Sequence, residues 1–225
     1  MDGINAWWKG IPGERFWLGI AARDDKGEVL AAPCGAGRNT YCSEHRLITH
    51  VRDGDAVFHF DDAQQCIVAW STSRGRVQKT RRIWTWRGEG LAPEEDAPRP
   101  LPGWTIGLER PTPLDRVVHL DQIARTQWAL VPELRAFEDE VGEPLYYPFA
   151  MGSPYGTRLL SGYVFKLPAL FVESVPSLAQ VAKDMTWYAP ARAADGPGTG
   201  AARVAAPRAP WTVPPPADAS ALLAR

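Results

Sequence analysis

The sequence predicts an α+β domain built on a small, curved mixed sheet or open β-barrel with flanking helices. Five or more short apolar and aromatic runs are bounded by Gly, Pro and Asp turn signals. Helical spacing is confined to the middle and the end of the chain, so strands and helices do not alternate as they do in a parallel βαβ sheet. Hydrophobic residues make up 45% and charged residues 23% of the 225 positions, the balance of a chain that buries a core.

The first strand is expected at 15–22 (RFWLGIAA), between Pro12-Gly13 and the turn Asp24-Asp25-Lys26-Gly27. Asp53-Gly54-Asp55 is a tight turn feeding a strand at 56–60 (AVFHF). Alternation there puts Ala56, Phe58 and Phe60 on one face and Val57 and His59 on the other. The turn DDAQQ leads into 66–71 (CIVAWS) and makes a hairpin. Further strands are expected at 83–87 and 103–109 (GWTIGLE), separated by a Pro- and acid-rich loop over 88–102. Residues 114–137, extending to Val141, carry apolar residues at helical spacing, with Asp115, Asp121 and Pro132 as candidate starts. A last strand at 162–167 (GYVFKL) precedes a short helix around 169–181.

From residue 189 to the end, Ala and Pro exceed half of the positions and aromatic residues almost vanish. Such a segment buries too little apolar surface to offset its ordering entropy, so 1–188 is expected to be the domain and 189–225 a linker or tail. The first residues, MDGINAWWKG, lack the basic start and apolar run of a signal peptide, and no run approaches the length of a membrane span. Cys34, Cys42 and Cys66 are too few for a disulfide scaffold; a reducing compartment, the cytoplasm, is the expectation.

Catalytic patterns are missing. There is no GxxxxGK[ST], no GxGxxG between a strand and a helix, no HExxH and no GxSxG. Cys34, Cys42, His45 and His50 can be forced into a zinc site only on loose spacing, so neither metal nor cofactor is expected. The acid runs Glu94-Glu95-Asp96 and Glu138-Asp139-Glu140 read as solvated faces. The expectation is a binding domain, not an enzyme.

The strongest positive signal is electrostatic. The net charge is −1, yet Arg74, Arg76, Lys79, Arg81, Arg82 and Arg87 fall within one stretch that holds no acid and includes Trp84 and Trp86. Cations interleaved with aromatics suit phosphate contact combined with base stacking. The alternative is a solvated turn whose arginines pair with acids elsewhere. The second signal is the placement of the ten tryptophans, most of them in the first half. Trp7-Trp8 lies in a Gly- and Pro-bounded loop, where burial is harder than on a strand, whereas core packing is the expected role of Trp17. Two or three such rings can sandwich an unstacked base.

The order WWKGIPGERFWLGI, YCSEHRLITHVRDGD and AVFHFDDAQQCIVAWS resembles the EVE branch of the PUA-like fold. The shared pattern is an aromatic strand, a short helical stretch, then "GD-x-V-x-F/Y" and a strand ending near "I-V-G/A-x-S". The closing Leu145-Tyr146-Tyr147-Pro148-Phe149, followed by GYVFKLPALFVESVPSLA, is similar to the end of N-terminal EVE-like domains in bacterial modification-dependent restriction proteins. The resemblance covers about residues 5–180. Ala69 stands where the family pattern has Gly, and Asp61-Asp62 where it often has Ser.

The resemblance implies a sheet of PUA/EVE type and a reader of modified bases, with 5-methylcytosine the expected base, flipped from double-stranded DNA into an aromatic pocket. It implies Trp7 or Trp8, Trp17, Phe60, Trp70 and Tyr147 as walls. Asp61 would accept from an exocyclic amine, and Ser71 or Ser73 would bond a phosphate or base edge; the alternative for Asp61 is turn capping. Arg74, Arg76, Lys79, Arg81, Arg82 and Arg87 would hold phosphates. A nuclease or NTPase domain or subunit is the implied partner, and no membrane is. An RNA-binding PUA-like domain and a protein-interaction module built on exposed tryptophans are the alternatives.

Overall fold

Every residue of the strand FWLGI, Phe16–Ile20 (β1), is apolar or glycine and every one is buried, so β1 needs cover on both faces. The computed structural model provides it with a curled, open α+β sheet. It describes residues 4–20, 27–34, 43–84, 100–142, 144–151 and 157–187. Asp24 to Lys26, Cys42, Trp86, Arg87, residues 88–99 and the tail 189–225 lie outside them, as do the side chains of residues 43–45.

The other strands are Val29–Pro33 (β2), Ala56–Asp61 (β3), Cys66–Arg82 (β4), Leu101–Leu108 (β5), Thr112–His119 (β6) and Val164–Leu167 (β7). They run in the order β2-β5-β4-β3-β1-β7, with β6 pairing β4 beside that path. β1 and β3 are parallel; the remaining pairs are antiparallel. A 3₁₀ helix, Ser43–His50, lies against β2, β5 and β7, and so bridges the two ends of the curled sheet. Its Leu47 and Ile48 are fully buried in that seam. Gly19 matters to the curl. A Cβ there would come within 2.6 Å of the Leu30 side chain of β2, so glycine lets β2 approach β1 across the interior.

Two apolar layers result. Trp17, Val57 and His59 share the inner face, because Trp17 pairs with Val57 and Gly19 with His59. Phe16, Leu18, Phe58 and Phe60 share the outer face. There Phe60 meets Phe149, and Phe149 meets Phe171 of the helix Ala169–Ser174 (α2). Burial on both sides explains why AVFHF shows no clean apolar-polar alternation. The long helix Leu120–Val141 (α1) buries Ile123, Gln127, Leu130 and Leu134, a stripe at helical spacing. It stops at Gly142, whose φ of 74° closes the last turn with an N–H to the Glu138 carbonyl. Among the described residues no helix is long and apolar enough to cross a membrane.

Several boundaries differ from expectation. Residues 112–119 are strand, not the beginning of the helix. Ile67 and Val118, both fully buried, pair across β4 and β6, and that ladder overrides local helical spacing. The helix starts after His119, with Asp121 in its first turn, where a carboxylate suits the helix dipole; Pro132 lies inside it. The basic run up to Arg82 is not a loop: β4 continues through it, Ile83 and Trp84 lie past its end, and the rest of the strand expected at 83–87 falls outside the described residues. β2 was not anticipated, since VLAAP has little strand character of its own and owes its conformation to β5. The helix expected around 169–181 is two, α2 and Pro176–Asp184 (α3).

A polar spine ties the N-terminal segment to the inner face. Lys166, fully buried, donates to Glu14 Oε2 at 2.9 Å and to the carbonyls of Phe16 and Leu167. Its ammonium lies 5.0 Å from the Trp7 ring centroid and 5.7 Å from that of Trp17. Asp55, also buried, accepts from Trp17 Nε1 at 2.8 Å, Arg15 Nε at 2.7 Å and the Arg52 N–H at 2.9 Å. Trp187 closes over the turn, donating its Nε1–H to the Gly54 carbonyl and lying 4.9 Å from the Arg15 guanidinium.

Candidate nucleic-acid interface

The structure separates the residues expected to line one pocket. Trp7, Trp8 and Trp17 come together on the inner face, packed edge to face at 5.5 and 5.4 Å. All three are buried, so the Trp7-Trp8 loop does not resist burial as expected. Lys166 and Tyr146 complete the packing around them. Phe60 and Tyr147 belong to the outer face, where Tyr147 stacks edge-on against Phe149 and Phe171 and its hydroxyl reaches Gln127. Burial pushes the Tyr147 phenol well above its usual range. Trp70 is on that outer side too, opposite Phe58 and Thr112, and is half-buried. Asp61 takes the turn-capping role, accepting from the Ala63 and Gln64 N–H groups and from Gln64 Nε2.

Ser71 is buried on the inner face with its Oγ 2.7 Å from His59 Nε2. Burial lowers the His59 pKa to about 4, so the ring is neutral at pH 7. The sequence does not single out this pair, because a separation of 12 positions conceals a contact made across two strands. Stability depends on pH as a result. Between pH 6.5 and about 4 the unfolded chain binds a proton at this histidine and the folded chain does not. Unfolding free energy therefore falls by about 3 kcal/mol as pH drops through that window, and is highest above it. His59→Gln keeps a hydrogen-bonding nitrogen without titrating. Urea unfolding at pH 7 and pH 4.5 should show a smaller acid loss in the variant; an equal loss in both proteins refutes the assignment to His59.

The basic run sits on a strand that outreaches the core. Beyond Ser73, β4 pairs with β5 on one side, and no described strand covers its other edge up to Arg82. Asp53 reaches the start of this edge, accepting from the Gly75 N–H. The register shifts between Arg74 and Gln78, where Gly75 has φ +77° and leaves room for an extra pair of residues. Register also sorts the cations. Lys79 is opposite Trp104 and Arg81 opposite Pro102, on one face; Arg74 is opposite Gly107 and Arg82 opposite Leu101, on the other. Arg76 lies in the bulge, and Arg87 outside the described residues.

These cations are not equally engaged. Arg74 lies 3.6 Å from Glu109, but both side chains are more than half exposed, so the pair holds little free energy. Arg82 covers the Trp84 ring at 5.5 Å. Trp84 itself is buried against Gly103, where a Cβ would collide with the ring and with the Ala32 carbonyl, and its Nε1–H goes to the Leu101 carbonyl. Among the described residues Arg81 donates to the Pro100 carbonyl at 3.3 Å, and Arg76 and Lys79 are exposed.

The fold and this edge define an α+β domain with a curled open sheet and a cationic edge strand. No family model matches the chain. No curated protein matches it either. Among solved structures the chain is similar to Rpa0253 from Rhodopseudomonas palustris, determined by NMR, with 14% identity over 74% of this chain and 94% of that one and a TM-score of 0.38.

Proposed function

We propose that this protein is a non-catalytic DNA-binding reader of modified bases, 5-methylcytosine first among them, acting in the cytoplasm as the recognition module of a modification-dependent restriction system with a nuclease partner. The observation that carries the nucleic-acid part is the open edge of β4. Arg74, Arg76, Lys79, Arg81 and Arg82 flank it on both faces, and its backbone N–H groups are uncovered by any described strand. A phosphodiester chain along that edge gains charge-assisted contacts from either side. Cations on an edge strand also discourage strand-to-strand aggregation. The base-reading part rests on the resemblance, and of the expected wall residues Trp70 is the one only partly buried, packed at the edge of the core.

Fluorescence anisotropy with a methylated and an unmodified duplex of one sequence tests this. The methylated duplex should bind more tightly. Alanine at Arg76, Lys79 and Arg81 together should weaken binding to both and flatten the dependence of log K on log salt by about 0.9 for each phosphate no longer neutralised. Equal affinity for the two duplexes refutes base reading. Preference for RNA over either duplex would favour an RNA-binding domain.

A further inference from the structure

Most described tryptophans are committed inside the protein. Trp7, Trp17, Trp84 and Trp187 each donate the indole N–H to an acceptor, and Trp8 is held edge-on by Trp7, Trp17, His50 and Tyr146. Trp104 differs. It is half-buried, seated against the core at one side of β5, and among the described residues its Nε1–H donates to no acceptor and its ring has no ring partner. Its neighbours across the sheet are the buried Ala32 on β2 and the exposed Lys79 on β4. Arg81 stands two residues further along the same face, opposite Pro102.

We infer that Trp104, opposite Lys79 and diagonal to Arg81, is a stacking platform for one unpaired nucleobase of a single-stranded nucleic acid whose flanking phosphates contact the two cations. Packing against the core restrains the ring, so little rotamer freedom is lost on stacking. Lys79 directly across the ladder supplies positive charge at the spacing of a neighbouring phosphate, and every base offers a π-face to the indole. Trp70 and Trp128 are also without ring partners among the described residues, but they lack this setting. Trp70 is opposite Phe58 and Thr112, and Trp128, 79% exposed, lies near an Asp121–Arg125 pair on α1. The inference rests on the nucleic-acid reading above and narrows its ligand to one presenting at least one base out of the duplex.

The experiment compares two fluorescein-labelled oligonucleotides of about 12 residues, oligothymidylate and an abasic oligomer of the same length and charge. Wild-type protein should bind oligothymidylate more tightly. Trp104→Leu, which keeps apolar packing and removes the π-face, should weaken oligothymidylate binding by about tenfold and leave abasic binding within about twofold. Lys79→Ala should weaken both alike and lower the single-strand salt slope by about 0.7. Trp70→Leu should leave the preference for bases intact. Thermal unfolding of Trp104→Leu checks its fold, and the wild-type comparison needs no variant. Equal wild-type affinity for the two oligomers overturns the platform, as does a Trp104→Leu loss that is the same on both. Absence of a methylated-duplex preference would sink base reading and leave Trp104 standing. Failure to bind either oligomer sinks the platform and the cationic edge together.

Discussion

Replacing Lys166 by Met should lower the unfolding free energy by about 3–5 kcal/mol. The side chain is fully buried, and its three ammonium hydrogens are all used, on Glu14, Phe16 and Leu167. Burial pushes the ammonium pKa down, and the Glu14 carboxylate beside it pulls the other way. Methionine fills the volume but leaves Glu14, only 9% exposed, as an uncompensated buried carboxylate whose remaining donor is the Ala169 N–H at the start of α2. For a domain of this size the loss corresponds to a fall of about 10 °C in Tm. Adding Glu14→Gln to the same chain should restore part of it, since the stranded charge is then gone. Urea denaturation of the single and double variants decides the matter. A double variant as unstable as the sum of the two singles would show that the ion pair is not coupled, and that the cost lies in packing around Trp7 and Trp17.

Asp55→Ala should cost about 3–5 kcal/mol as well, for a different reason. One buried carboxylate holds the Trp17 indole, the Arg15 guanidinium and the Arg52 N–H at the same time. Its removal strands the buried Trp17 donor, at about 1–3 kcal/mol, and frees Arg15, whose side chain is one-third exposed and so recovers much of its hydration. Asp55→Asn retains an acceptor oxygen for Trp17 but turns an amide toward the guanidinium, and about half the loss is expected. The measurement is the same urea series, read with the near-ultraviolet signal of the tryptophans. A loss below about 1 kcal/mol for Asp55→Ala would mean that water replaces the carboxylate, and that the spine does not hold the turn at 52–55 in place.

The two residues differ in how visible they were. Asp55 was legible as part of a turn signal, and the turn is there, with Gly54 at φ +79°. Its function as the acceptor for Trp17, thirty-eight residues away, was not. Lys166 falls within the strand expected at 162–167 and carries no signal of its own there, because its partner Glu14 is 152 residues distant. The same division runs through the candidate interface. The acid-free run from Arg74 was plain, but its conformation was misread, because the strand it forms is stabilised by pairing with Leu101–Leu108 and not by its own residues.

What the sequence by itself determined is whatever depends on neighbours along the chain. That includes the turns at 53–54 and 61–65, the cores of β1, β3, β5 and β7, most of α1, the α+β class and the concentration of cations before residue 88. Tertiary structure alone decided the rest. It buried Trp7, Trp8 and Trp17 and left Trp70 and Trp104 half-open; it made residues 112–119 a strand; it dealt Lys79 and Arg81 to one face and Arg74 and Arg82 to the other. The physical reason is common to all of these. Side-chain exposure and strand direction are set by which ladder partner satisfies a backbone and which layer covers a face, and both partners come from distant parts of the chain.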